Sequence, residues 1–313
     1  MSEATSASPA AQATRLTPAV ALAGGGALLL WGGTAVANKI AVGHMDAMTA
    51  GVLRSLIAGL IAAAAAFAWR LPFPKPARQR GLLAVSGIAS FALWPLLLSL
   101  GLGLTTASHA ALIMAMIPVF TGLIAAGVDR SWPRLSWWMG ITIAVIGAFF
   151  LVFYRSGGAL LGAGSVTGDL IVLSGAAICG LGYVAGGKLT PAIGAWSTTF
   201  WGLAIACLVL IPTFALLAPR TDWSAVGAGG WAAIAYMTFM SSLIGYAGWF
   251  WALGHGGIAR ISSWQLAQPV ITLALAAMIL GEALTWPLLV AAGAILAGTA
   301  IAQSKAFSRT FKE

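Results

Sequence analysis

Long apolar runs recur along this chain, separated by short polar breaks rich in proline and glycine. A bilayer core about 30 Å thick takes roughly 20 helical residues to cross. On that measure ten runs predict spanning helices: residues 18–40, 47–69, 81–103, 107–128, 135–153, 168–187, 193–218, 229–254, 258–280 and 286–303. Breakers mark most of the joins. Pro72, Pro74 and Pro76 follow the second run, a Gly-rich stretch from Gly157 to Gly164 follows the fifth, and Pro219 follows the seventh. The loops are too short to hold a soluble domain.

The runs fall into two sets of five. Pro118 in the fourth run and Pro269 in the ninth lie 151 positions apart, and Thr121 and Thr272 each follow their proline by three. Trp132-Pro133 and Trp286-Pro287 open the fifth and tenth runs, and Leu100-Gly101 and Leu253-Gly254 close the third and eighth. An odd number of spans in each half makes the second copy enter from the opposite side. The expected architecture is therefore an all-α multi-pass membrane protein, ten transmembrane helices in two inverted five-helix repeats around a central cavity. Residues 17–153 and 168–304 are the repeats. Residues 1–16 form a disordered cytoplasmic tail, 154–167 a Gly-rich external linker, and 305–313 a basic cytoplasmic tail.

Composition sharpens this picture. Of the 313 residues, 60% are hydrophobic and 7% charged, against about 25% charged in a soluble domain. Lipid must then be the outer solvent. The net charge of +9 belongs to loops rather than to a nucleic-acid surface. With the N-terminus inside, the cytoplasmic side carries Arg15, Arg70, Lys75, Arg78, Arg80, Arg130, Arg134, Lys188, Arg260, Lys305, Arg309 and Lys312. The outside carries Lys39, Arg155 and Arg220. This bias places both termini in the cytoplasm. Cys179 and Cys207 sit inside apolar runs and suit small packing residues rather than a disulfide or metal site. No metal or cofactor is expected.

Candidate chemistry lies where polar or rigid groups interrupt the spans. Arg54 stands about 10 Å into the second span. It is either an anchor for a substrate carboxylate or an arginine that snorkels to backbone carbonyls. Pro95, Pro118 and Pro269 each remove a backbone donor and are the candidate helix breaks. Either they open onto a cavity or they are tolerated kinks. Gln265 and Gln268, beside Trp264 and Pro269, are amides that lipid would not welcome. Trp31, Trp94, Tyr246 and Trp249 are aromatics away from the span ends. They either line a cavity suited to apolar or planar substrates or pack the core. The seven acids, Glu3, Asp46, Asp129, Asp169, Asp222, Glu282 and Glu313, all fall in tails, loops or span ends. An antiporter working through a buried midplane glutamate is thus disfavoured, and coupling, if any, falls to groups such as His109 or backbone carbonyls. His109 reads as a lone histidine without a nearby carboxylate. The sequence motifs of zinc proteases, serine hydrolases and phosphate-binding loops are absent, which argues against an enzyme or an ATP-driven pump.

In their joint order, Trp31-Gly32 with Lys39, Arg54, Pro118, Gly168-Asp169, and Pro269 with Gly281-Glu282 resemble the EamA-type domains of the drug/metabolite transporter superfamily. The resemblance spans about residues 17 to 304, and its nearest likeness is to the YddG-type aromatic amino acid exporters of bacterial inner membranes. It implies a ten-helix basket, alternating access by rocking of the halves, and export of amino acids or other metabolites. Under it, Trp31, Trp94, Tyr246 and Trp249 give apolar contacts. Gln265, Gln268 and Arg54 meet the substrate's polar ends. A monomer suffices, because both halves are in one chain. The alternatives are a permease for another metabolite or a drug and, in a different class, a structural or sensory membrane protein or an intramembrane enzyme.

Overall fold

The computed structural model describes residues 17–130, 135–153, 165–246, 248, 249, 252, 264 and 267–303. Among them every regular element is helical. α1 (Pro18–His44) is capped by Thr17 and α2 (Ala47–Ala68) by Asp46, whose side chains accept from the amides of Val20 and Thr49. The third span begins as α3 (Ala77–Gly87), widens to a π-helix at Ile88–Leu93, and resumes as α4 (Trp94–Leu104). Pro95 has no amide proton to return to the carbonyl one turn back. The wide turn ends just before it.

The fourth span is interrupted just before Pro118. α5 (Ala107–Met114) stops, Ala115 and Met116 close it with amide bonds to the carbonyls of Leu112 and Ile113, and α6 (Ile117–Asp129) restarts. α7 (Leu135–Phe153), α8 (Val166–Ile193) and α9 (Ala195–Leu217) follow. Next come a short 3-10 turn at Ala218–Arg220, then α10 (Ala228–Ala235), which runs into a second π-helix at Tyr236–Gly245. α11 (Gln268–Leu280) and α12 (Trp286–Gln303) complete the described chain.

Among the described residues, six helical stretches are long and apolar enough to cross a membrane: Pro18–His44, Ala47–Ala68, Ala77–Leu104, Ala107–Val128, Val166–Ile193 and Ala195–Arg220. Outward faces stay apolar, as lipid requires. Leu135, Ile146, Phe149, Met278 and Trp286 are all well exposed.

Contacts between elements come in matching sets. α2 packs on α9 and α7 on α12. α1 lies against α10, its π-helix and α11, while α8 lies against α3, its π-helix, α4 and α6. α6 and α11 are both 13 residues long, carry their proline at the second position, and end on a left-handed residue, Arg130 (φ 49°) and Gly281 (φ 67°). Close helix contacts rest on glycine. A Cβ at Gly59 of α2 would sit 2.5 Å from the Leu203 carbonyl and the Cys207 Cβ of α9. One at Gly298 of α12 would sit 2.4 Å from the Ala144 nitrogen of α7. Dispersion at such distances replaces the water-driven association that a bilayer does not supply.

Candidate functional site

Trp31 is the hub of the interior aromatic group. Its ring centre lies 4.9 Å from Tyr246, edge-on, and 5.2 Å from Trp249. Phe91, from the first π-helix, meets Tyr246 at 5.7 Å. The indole Nε1 of Trp31 donates to the Ser241 carbonyl at 2.9 Å. Ser241 belongs to the second π-helix, where the wide turn takes carbonyls out of the usual α-helical ladder. Gly245 makes room for this, since a Cβ there would lie 2.7 Å from Nε1. Thr34 and Ser241 share a hydroxyl–hydroxyl bond of 2.8 Å one turn along.

The helix that follows Pro269 docks on the same part of α1. Thr272 donates to the Gly32 carbonyl at 2.7 Å, and Gln268 Nε2 to the Trp31 carbonyl at 3.4 Å. Gln268 is thus a strut between helices at its amide nitrogen. Trp264 packs on Gly24. Gln265 lies outside the described residues.

Arg54 is 7% exposed and its Nη1 has no hydrogen-bond partner. Its charge lies within electrostatic range of Tyr246, whose hydroxyl is in hydrogen-bonding reach of Tyr183, next to Cys179. Gly51, one turn from Arg54 on the same face of α2, closes onto Leu96 and Ser99. Ser99 in turn donates to Asn38 of α1 at 2.9 Å, and Asn38 keeps its Nδ2 unpartnered. Trp31 therefore gathers Tyr246, Trp249 and Gln268 around α1, and Arg54 of α2 joins this group through Tyr246. Trp94 stands apart from this group and packs on Gly175 of α8, 8% exposed. Pro95 is buried beside the first π-helix, Pro269 is buried in the first turn of α11, and Pro118 is the second residue of α6.

A second polar group lies at the other ends of these helices, and here the expectation for His109 is corrected. His109 Nδ1 is 2.9 Å from Asp169 Oδ2. The apparent span-end acid Asp169 is 1% exposed, and Thr105 also donates to its Oδ1 at 2.5 Å. Lys39 donates to the carbonyls of Leu102 and Thr105 at 2.7 and 2.6 Å. Glu282 accepts from the amides of Ala107 and Ser108 at 2.7 and 2.8 Å, capping α5. Cys179 and Cys207 are free and buried. Among the described residues no group of His, Cys, Asp and Glu could hold a metal ion.

A helical chain with six membrane-length apolar stretches, polar chemistry turned inward and apolar faces turned out is a multi-pass membrane protein. It belongs to the EamA-like transporter family, which matches residues 17–153 and 166–303. The uncharacterized transporter YdeK of Bacillus subtilis is 30% identical over 262 residues, 83% of this chain and 88% of that protein. The uncharacterized inner membrane transporter YedA of Escherichia coli is 24% identical over 82% of this chain and 81% of its own length. A probable terminal-alkyne amino-acid exporter of Streptantibioticus cattleyicolor is 25% identical over 74% of this chain and 76% of its own length. One solved crystal structure, at 21% identity, superposes with a TM-score of 0.61 across 90% of this chain and 96% of that one. That likeness is one of fold alone.

Proposed function

We propose that the protein exports amino acids, aromatic and other neutral ones, from the cytoplasm across a bacterial inner membrane, by alternating access and without ATP hydrolysis. In this reading the chain crosses ten times in two inverted five-helix halves, with both termini inside, and one chain suffices. The matched lengths and caps of α6 and α11 support the repeat. Relatedness to an amino-acid exporter favours that substrate class over sugars or cationic drugs.

The observation that carries the reading is Arg54. A buried guanidinium with a free Nη1 is costly, about 2.5–3.5 kcal/mol near a helix centre on insertion scales. A substrate carboxylate would offset that cost with charge-assisted bonds. Beside it, the Trp31, Tyr246, Trp249 and Phe91 rings offer edges and faces to an apolar or aromatic side chain. The neutral alkyl or aryl part and the carboxylate of one amino acid would then have separate partners within one site.

The test is counterflow of labelled phenylalanine and tryptophan in proteoliposomes, with a sugar and a cationic dye as controls. Saturable amino acid flux above empty vesicles is expected. Flux of the sugar or the dye alone would overturn the assignment.

A further inference from the structure

The polar group around Asp169 joins parts of the chain that a rocking motion would have to separate. His109 and Thr105 of the first half hold Asp169 of the second, and Glu282 of the second half holds the first amides of α5. The Ser165 amide adds a backbone bond to the Leu104 carbonyl at 2.8 Å. Lys39, from α1, fastens the α4 end through the carbonyls of Leu102 and Thr105. On the basic-residue assignment this end faces outside.

A proton changes this group at the His109–Asp169 contact. Asp169 and Glu282 supply two negative charges and Lys39 one positive charge. Lys39 and Glu282 interact electrostatically. Among the described residues, α4, α7 and α12 carry no charged side chain. Asp46 is tied to Thr49, and His44 lies against Gly229 and Gly230 on α10. Asp222 is tied to Ser224 in its own loop. Both carboxylates lie at helix N-termini, Glu282 on the first amides of α5 and Asp169 in the first turn of α8, whose partial positive charge offsets part of their own. With His109 neutral the contact with Asp169 is a hydrogen bond, and with His109 protonated it is an ion pair joining the two halves. Asp169 is buried, whereas the imidazole is 16% exposed and can exchange a proton with water. Histidine is the side chain whose charge changes in the physiological range.

We propose that Lys39, Thr105, His109, Asp169 and Glu282 form an outer latch that one external proton on His109 holds shut. The proton adds at Nε2 while the Nδ1–H stays on Asp169, and no other bond changes. Its loss leaves a buried carboxylate facing a neutral ring, and the seam loosens. Acid outside therefore favours the closed outer face and alkali the open one, whatever substrate the protein carries.

The test needs no substrate. The purified full chain in lipid nanodiscs is followed by hydrogen exchange at about pH 5.5 and pH 8, with rates corrected for intrinsic exchange. Amides of residues 105–111 and 165–171 should open about tenfold more at the higher pH, a typical coupling between two linked sites. His109→Gln, which keeps a donor but cannot take the charge, should abolish that ratio and be open at both pH values. Asp169→Asn should abolish it as well. His44→Gln, at the same end but outside the latch, should keep the ratio of the unmodified chain. Equal protection at both pH values in the unmodified chain would overturn the latch. A retained ratio in well-folded His109→Gln protein would do the same. If Asp169→Asn fails to fold, His109→Gln alone decides.

Discussion

Arg54 separates binding from folding. Its buried guanidinium is incompletely partnered, with Nη1 free, so replacing it with an apolar residue of similar length relieves a desolvation cost. Arg54→Leu should leave the melting temperature unchanged or raised while weakening apparent substrate affinity. The loss of one charge-assisted contact, about 1.5–3 kcal/mol, corresponds to roughly 10- to 100-fold. Thermal melts and counterflow on the same preparation check this, and a lower melting temperature with unchanged flux would make Arg54 a structural residue. Trp31→Phe should keep most of the ring packing but lose the Nε1 bond to Ser241. The expected loss is about 1 kcal/mol of stability, measured by the same melts. The sequence made Trp31, Tyr246 and Trp249 legible because aromatics away from the interface are unusual. It could not show Asp169 beside His109, since the pairing joins positions 60 apart on different helices. Asp169 also looked like an ordinary span-end acid, and only the Thr105 and His109 contacts reveal that it is buried.

At the scale of the helix, glycine decides which faces close. Gly59→Ala would press a Cβ to 2.5 Å from the α9 backbone, and overpacking of this kind costs about 1–3 kcal/mol. Gly25→Ala on α1 and Gly293→Ala on α12 meet nothing within 4 Å. They should be neutral or stabilising by up to about 1 kcal/mol through lower chain entropy. Comparing melting temperatures of the three variants is a direct measurement of this difference. Helix breaks were readable where a proline causes them. Pro118 and Pro269 announced α6 and α11, and Pro95 the irregularity that became Ile88–Leu93. The π-helix at Tyr236–Gly245 carries no proline. Its cause is tertiary, a carbonyl held by the Trp31 indole and room left by Gly245, so no local pattern announced it.

For the whole molecule, the basic-residue asymmetry predicts which loops face which side. In oriented vesicles lacking both native cysteines, a thiol from Ser224→Cys should react with an impermeant reagent added outside, and one from Lys75→Cys only after permeabilisation. The reverse pattern would invert the assigned direction of every span, and with it the side on which the latch sits. Hydropathy made the membrane class and most span limits legible. It is blind to partner choice, because apolar helices look alike until small residues let particular pairs approach.

The exchange of partners between α1 and α8 has a consequence for biogenesis. When the ribosome has finished the fifth run, the face of α3, α4 and α6 that α8 will cover is still bare, and α1 has not met α10 or α11. A nascent first half therefore cannot reach its final packing alone. It must wait in the bilayer, shielded by lipid or insertion machinery, until the second half arrives. Two separately encoded halves, split near residue 160, should be degraded when made singly and should rescue each other when made together.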